Sequence, residues 1–233
     1  MLDDYLAEVA RRLREILDDE LVGVYAGGSV ALGAYREGRS DADVAVVVRS
    51  SLPRATKEEI VAAVRHESLP CPARGLELVV YRLGSPEFEL NLNTGETMPF
   101  RVDYEPDPAE SHWFAIDRAI LHDRGVKVVG PPPAEVFDPP TRAELLPVVA
   151  QSLRWHLGGE ARANDMVLNA CRSLRYAVTD EWTSKPEAGR WALDHVEDAD
   201  VVRDALAAQS GGAPVDPGRA AAFVAAVLER IPA

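Results

Sequence analysis

Apolar and polar residues follow two different spacings in the first part of the chain. From Leu2 to Asp19, apolar residues recur every three or four positions, which predicts an amphipathic helix. Later runs are rich in valine and leucine and are bounded by glycine or charged residues, which predicts strands. These patterns predict strands over residues 21–26, 43–49, 76–81, 88–93 and 126–129, and further helices over residues 29–35, 56–66 and 112–124.

The pattern changes after residue 130. Proline-rich stretches occupy residues 130–133 and 138–140, and the later apolar residues keep helical spacing. They predict helices over residues 142–157, 164–179, 187–195, 199–208 and 218–230. The sequence therefore predicts an α+β fold, in which a domain of residues 1–135 with a mixed sheet and helices is followed by an all-helical bundle of residues 136–233.

Charge and composition narrow the class of protein. The 233 residues include 25 Lys and Arg and 38 Asp and Glu, which gives a net charge of -13, and 47% of the residues are hydrophobic. A negative field repels nucleic acids, and no apolar run approaches the roughly 20 residues of a membrane helix, so we expect neither partner. The N-terminus is acidic, unlike a secretory signal, and we expect a cytoplasmic monomer. The negative charge fits either solubility or a cationic substrate, and composition leaves both open.

A glycine-serine turn follows the first predicted strand. Gly27-Gly28-Ser29 stands where the strand ends and a helix is predicted to begin. Backbone N–H groups at such a turn, together with the Ser29 hydroxyl, form a site suited to phosphate oxygens. Gly28 would let a ligand approach the backbone closely. A tight turn with an ordinary helix N-cap explains the same residues, and so short a motif does not decide between the two.

Two aspartates stand at the head of the second predicted strand. Asp41 and Asp43 are two positions apart, so both carboxylates are expected on one face. Like charges at a buried strand end repel each other, and a divalent cation offsets that cost. Hard carboxylate oxygens suit Mg²⁺, which takes further oxygens from substrate phosphates. An exposed acidic loop is the alternative, which the valine-rich run after Asp43 disfavours.

A third carboxylate occurs inside a later apolar strand. Glu77 interrupts the run Leu76-Glu77-Leu78-Val79-Val80, where an acidic residue is unexpected. If this strand neighbours that of Asp43, Glu77 can face the same site, and burial would suit it to act as a general base. The alternative is an edge strand with Glu77 on its solvent face.

These residues resemble a known superfamily. Residues 28–43 contain Gly-Ser, eleven intervening residues and Asp-x-Asp, and Glu77 follows on a later strand, which resembles the signature of DNA-polymerase-β-like nucleotidyltransferases. Residues 165–172 and 182–192 are similar to the C-terminal domain of the streptomycin/spectinomycin adenylyltransferases. Residues 130–139 are similar to the interdomain segment of that family. The resemblance extends over nearly the whole chain.

The resemblance implies an aminoglycoside O-adenylyltransferase, an enzyme of antibiotic resistance. ATP would supply AMP to a hydroxyl of a small cationic, aminoglycoside-like molecule, and pyrophosphate would leave. In the family pattern Asp41 and Asp43 bind Mg²⁺, and Glu77 is a further ligand and the base that takes the hydroxyl proton. Two metal ions would stabilise the attacking and leaving oxygens of an in-line displacement.

The resemblance also implies residues that bind the nucleotide. Gly28, Ser29 and Ser40 would contact the triphosphate. Arg172 and Lys185, thirteen positions apart as in the family, would reach it from the helical domain and neutralise charge on the leaving pyrophosphate. Without the resemblance, each of these basic residues fits an ordinary solvated helix surface.

Substrate recognition is where this chain departs from the family. The family carries a tryptophan shortly after the catalytic strand, and here Gly95 occupies that place. A second family tryptophan matches Trp155, and Glu160 and Asp165 are the carboxylates available to hold a cationic group. The absence of the first aromatic leaves streptomycin and spectinomycin both uncertain as substrates. Packing between helices is the commoner use of a lone aromatic such as Trp155.

Two other functions remain open at this stage. An antitoxin-type nucleotidyltransferase would transfer AMP to a protein, although such chains are typically shorter and lack the block around Arg172 and Lys185. A regulatory module would bind the nucleotide without turnover, although all three carboxylates are present. Release of pyrophosphate with a panel of aminoglycosides separates the three.

Overall fold

The computed structural model describes residues 1–106, 111–159 and 162–232, and the chain divides into two compact units. These are Met1–Pro139 and Pro140–Ala233. The predicted boundary between residues 135 and 136 lies just before this division. None of the helices in the described ranges is long and apolar enough to cross a membrane.

The first unit is built on a six-stranded mixed sheet, in agreement with the predicted fold class. The strands lie in the order β5-β4-β3-β2-β1-β6. Their bounds are β1 Leu21–Ala26, β2 Ala42–Val48, β3 Leu76–Arg82, β4 Phe88–Thr94, β5 Arg101–Asp103 and β6 Val126–Val129. The helices are α1 Leu2–Leu17, the one-turn α2 Gly28–Ala31, α3 Arg54–Val64 and α4 Ser111–Arg124.

Strands β2 and β3 are parallel and are joined by α3, whereas the other neighbouring strands are antiparallel. Alternate residues of these strands face opposite sides of the sheet. One side packs against apolar residues of α1 and α3, including Leu13 and Ile60. The other side carries Tyr25, Val47 and Tyr81 and packs against Leu121 of α4. The ends of β2 and β3 on this second side hold Asp43 and Glu77.

The structure of this unit differs from the prediction in one helix and one strand. The helix expected over residues 29–35 is one turn, because Gly33 takes a positive φ of 65° and ends it. Strand β5 was not predicted, since a run of three residues that includes two charged ones carries no readable alternation. It pairs with β4 and extends the sheet by one short edge strand.

The second unit is helical throughout its described residues, as predicted. Thr141 begins the first helix with a capping box closed by Glu144, and Ser184 caps a later one. The helix predicted over residues 187–195 begins two residues earlier, because Ser184 accepts a hydrogen bond from the backbone N–H of Glu187. The helices are α5 Arg142–Gly158, α6 Ala163–Thr179, α7 Lys185–Ala192, α8 Ala199–Ala208 and α9 Pro217–Leu228.

Candidate active site

The register of β2 and β3 brings two of the predicted carboxylates together. Asp43 and Glu77 are directly paired across these parallel strands, so their side chains stand side by side on one face. Strand β3 lies between β2 and β4, and Glu77 is partly buried. The alternative of an edge strand with Glu77 on its solvent face is therefore wrong.

The glycine-serine turn packs directly against Asp43. The backbone N–H of Gly27 donates to the carbonyl of Asp43 at 2.9 Å, which fixes the turn to the head of β2. Gly28 has a φ of 47°, and a Cβ added there would overlap the Asp43 carboxylate. Only glycine therefore fits this position. The turn and the carboxylate form one continuous site.

The Ser29 hydroxyl has no hydrogen-bond partner within the described residues, although it is buried. The helix N-cap is Gly27, and no side chain caps α2, so the Ser29 hydroxyl is not used to cap the helix. A buried hydroxyl without a partner is costly unless a ligand supplies one. This orphaned group, beside backbone N–H groups, is suited to a phosphate oxygen.

Asp41 is held by an arginine that lies two residues before β3. The Arg74 Nε donates to Asp41 Oδ1 at 2.7 Å, and Nη2 contacts the other carboxylate oxygen in a bidentate pair. The Asp41 side chain is 17% exposed, whereas that of Arg74 is 41% exposed, so the carboxylate is shielded and the guanidinium faces water. The backbone N–H of Arg74 also donates to the carbonyl of Ser40 at 3.1 Å. Arg74 supplies positive charge at the edge of an otherwise acidic cluster.

Glu77 carries the strongest electrostatic perturbation of the cluster. Desolvation, together with the negative charges of Asp43, Asp41 and Asp117, raises the pKa of Glu77 to about 8, against the opposing effect of Arg74. A carboxyl group with this pKa can hold or accept a proton near neutral pH. Asp117 belongs to α4, which packs on this side of the sheet.

Ser40 closes the loop between the turn and β2. Its hydroxyl accepts a hydrogen bond from the Arg36 backbone N–H at 3.0 Å, and its own N–H donates to the Arg36 carbonyl at 2.9 Å. The hydroxyl still has donor capacity for a ligand. Ser40 precedes Asp41 directly and therefore belongs to the border of the carboxylate cluster.

The second unit brings its own predicted residues together. Asp165 and Arg172 lie on α6, seven residues apart and so on one face. Lys185, the first residue of α7, lies 3.5 Å from a carboxylate oxygen of Asp165. Arg172 donates to the side-chain oxygen of the buried Asn169 at 2.8 Å. These contacts hold two cationic side chains along one stretch of α6.

Two family descriptions match the chain in the predicted order. Residues 6–91 match the family described as "Nucleotidyltransferase domain". Residues 135–231 match the family described as "Aminoglycoside adenylyltransferase, C-terminal domain". Together, these two matches indicate a member of the aminoglycoside adenylyltransferase family. The nucleotidyltransferase match covers the turn and the three carboxylates of the cluster described above.

Relatives and a solved structure agree with this assignment. Proteins of Staphylococcus aureus named spectinomycin 9-adenylyltransferase are 24% identical over 208 residues, which span 82% of this chain and 80% of theirs. A structure of spectinomycin adenyltransferase AAD(9) from Enterococcus faecialis, with ATP and spectinomycin, matches with a TM-score of 0.76 and 15% identity, over 97% of this chain and 98% of that chain. At this identity the likeness shows a common fold. A toxin-antitoxin structure with AMP-PNP has a TM-score of 0.31, which is too low to indicate a common fold.

The predicted substrate residues differ in how far the structure describes them. Trp155 is 44% exposed, so its expected use as core packing between helices is wrong, and its ring meets that of His156 edge-on at 5.2 Å. Asp165 is engaged with Lys185. Glu160 lies outside the described residues.

Gly95, which stands where the family has an aromatic residue, is tightly enclosed by backbone. A Cβ there would lie 2.7 Å from the Arg74 carbonyl oxygen and 2.8 Å from the Gly75 Cα. Backbone atoms cannot move aside as a flexible side chain can. A side chain at position 95 would therefore require the segment of Arg74 and Gly75 to move.

Three residues near the carboxylates were not predicted. Arg74 donates to Asp41 and lowers the pKa of Glu77, whereas the negative charge of Asp117 raises it. Asn93 of β4 is paired with Glu77 in the sheet register. No local pattern marks Arg74 and Asp117, because their relation to the cluster depends on strand pairing and helix packing. The alternation of polar and apolar residues in Asn91-Leu92-Asn93 was a usable signal for Asn93, since it placed both amides on the side opposite the main core.

Proposed function

We propose that this protein transfers AMP from ATP to a hydroxyl of a small cationic, aminoglycoside-like acceptor and releases pyrophosphate. The observation that carries the proposal is the pairing of Asp43 with Glu77 beside the Gly28-Ser29 turn. Membership of the aminoglycoside adenylyltransferase family supports the reaction class. The names of the relatives, which refer to spectinomycin, support an acceptor of that chemical type.

Mg²⁺ fits the donor chemistry of this site. Asp41, Asp43 and Glu77 offer only hard oxygen ligands, and the mutual repulsion that raises the pKa of Glu77 is what a divalent cation would relieve. Within the described residues, no group of three or more acidic, histidine or cysteine side chains is already arranged to hold a metal ion. Asp41 would first have to exchange Arg74 for the cation. Bound Mg²⁺ would supply charge neutralisation on the phosphates and polarise the α-phosphate.

The residues of the chain account for the remaining steps. The backbone at Gly28 and the Ser29 hydroxyl would bind triphosphate oxygens and orient the α-phosphorus. Glu77 would accept the proton of the acceptor hydroxyl as its oxygen attacks that phosphorus. The bond from the α-phosphorus to the bridging oxygen breaks, and pyrophosphate leaves with the electron pair. Glu77 then returns its proton to solvent.

Arg172 and Lys185 are proposed to assist nucleotide binding from the second unit. Their contacts with Asp165 and Asn169 place two cations beside α6, and such cations form strong hydrogen bonds with phosphate oxygens. Trp155, Glu160 and Asp165 remain our proposed contacts to the acceptor. The exposed ring of Trp155 supports this role, since it is accessible to a cationic or sugar ligand.

The proposal is tested by following pyrophosphate release with ATP, Mg²⁺ and a panel of aminoglycosides that includes spectinomycin and streptomycin. We expect release with at least one acceptor, and loss of at least 1,000-fold in kcat for both Asp43→Asn and Glu77→Gln, on the order expected for an essential catalytic group. Glu77→Gln should still bind ATP. Full activity in either variant would overturn the assigned roles.

The same assay separates the alternative functions. AMP labelling of a protein without pyrophosphate release on any panel member would favour an antitoxin-type enzyme. Binding of ATP that depends on Mg²⁺, with no transfer to any acceptor or protein, would favour a regulatory module. Glu89→Gln is a suitable control, because this carboxylate lies in the same sheet but contacts Lys57 at 3.0 Å.

A further inference from the structure

A polar row crosses the sheet beside the candidate active site. The sheet register pairs Asp43 with Glu77, Glu77 with Asn93, and Asn93 with Arg101, across strands β2 to β5. Directly paired residues point to the same face. All four are at least partly exposed, whereas the residues on the reverse of these strands are buried in the core. The row is therefore an accessible surface that extends from the carboxylates toward the sheet edge.

Most polar groups near this row are already engaged. Asn91, two residues before Asn93 and on the same face, donates its amide to Asp103 at 3.1 Å. Arg101 contacts the same Asp103 carboxylate at 2.9 Å. These contacts give both side chains of the outer part of the face a partner within the sheet. They also fix the edge strand β5 against β4.

Asn93 is different, because its side chain makes no hydrogen bond within the described part of the chain. A half-buried amide carries two donor hydrogens and an acceptor oxygen, and it is stabilised when a partner uses them. Paired residues on neighbouring antiparallel strands have Cβ atoms about 5 Å apart. Asn93 and Glu77 can therefore contact neighbouring groups of one small ligand.

From this geometry we propose that Asn93 binds the acceptor, through a second oxygen atom close to the hydroxyl that Glu77 deprotonates. An uncharged amide that both donates and accepts suits a hydroxyl group rather than an ammonium group. Asn93 thereby selects acceptors that carry a second oxygen close to the reacting hydroxyl, and it orients the reacting oxygen. This inference rests on the proposed function and deepens it, since it names a residue that determines which acceptor is used.

The test compares Asn93→Ala with Asn91→Ala, a matched change of the same residue type on the same strand and face. With spectinomycin as acceptor, Asn93→Ala should raise the KM for the acceptor about 10-fold, the effect of about 1.4 kcal/mol of lost binding. The KM for ATP should stay within about 2-fold of the wild-type value, because Asn93 is not proposed to contact the nucleotide. Asn91→Ala should leave the KM for spectinomycin unchanged, because its amide is committed to Asp103.

A second variant and a binding measurement keep the outcome clear. Asn93→Val removes the amide but favours a strand, so it should behave as Asn93→Ala does even if alanine weakens the fold. Calorimetric titration of spectinomycin into protein that holds Mg²⁺ and a non-hydrolysable ATP analogue should show the same loss. Unchanged KM and affinity in both variants, with an active wild type, would overturn this inference alone. Failure of the wild-type protein to adenylylate any acceptor of the panel would overturn the proposed function and this inference with it.

Discussion

Replacing Glu77 by Gln should stabilise the metal-free protein at pH 8. The folded state raises the pKa of this carboxyl from 4.5 to about 8, through desolvation and then through Asp43, Asp41 and Asp117. A rise of that size corresponds to about 4–5 kcal/mol of penalty on the charged form. Water and ions at the partly exposed side chain reduce this, so we expect about 2 kcal/mol, or roughly 4–8 °C in Tm.

The sign of the effect depends on pH. Below pH 4.5 the carboxyl is protonated in both the folded and unfolded states, so it contributes no difference. Between 4.5 and about 8 the unfolded chain releases the proton while the folded chain keeps it, so stability falls as the pH rises. Glutamine resembles the protonated form at every pH. The gain of Glu77→Gln over wild type should therefore be largest at pH 8 and small near pH 5.

Thermal unfolding at both pH values, with a chelator present, measures this difference. Glu89→Gln is the matched control, since burial raises the pKa of Glu89 but hydrogen bonds from Lys57 and Ser51 lower it below its usual range overall. Loss of that buried ion pair should lower the Tm at neutral pH. A Tm of Glu77→Gln at or below that of wild type at pH 8 would refute the electrostatic argument for the cluster.

Further predictions concern the turn and the arginine that borders it. Arg74→Met removes the cation that holds Asp41, so it should lower the Tm without Mg²⁺ and enlarge the Tm gain on adding Mg²⁺. The control is Arg101→Met, which removes the ion pair between Arg101 and Asp103 in the same sheet. A Tm gain of Arg74→Met equal to that of wild type in a Mg²⁺ titration would contradict this prediction. Gly28→Ala places a Cβ against the Asp43 carboxylate at a residue with a positive φ. The affinity for ATP, measured by calorimetry, should therefore fall at least 10-fold, which is on the order of 1.4 kcal/mol or more. An affinity equal to that of wild type would argue against a nucleotide site at this turn.

The parts of the fold that were readable from the sequence are those with long, regular patterns. The strand that holds Glu77 could be predicted because apolar residues surround one unexpected acid, and α5 and α6 because their helical spacing is sustained. The pairing of that strand with β2 had to be assumed, since strand order is set by packing of the whole sheet. Short elements such as β5 left no pattern to read.

The candidate site divides in the same way. Asp41, Asp43 and Ser29 are close in sequence, so their chemistry could be inferred from spacing. Arg74 and Asn93 join the cluster through contacts between separate strands, which no spacing along the chain encodes. The exposure of Trp155 also depends on how the helices of the second unit pack.

The most direct test is mass spectrometry of spectinomycin incubated with the protein, ATP and Mg²⁺. The account predicts an acceptor heavier by one AMP group, formed together with pyrophosphate by the wild type and by Glu89→Gln, and absent with Asp43→Asn or Glu77→Gln. Formation of that product at the wild-type rate by either of the latter two variants would contradict it.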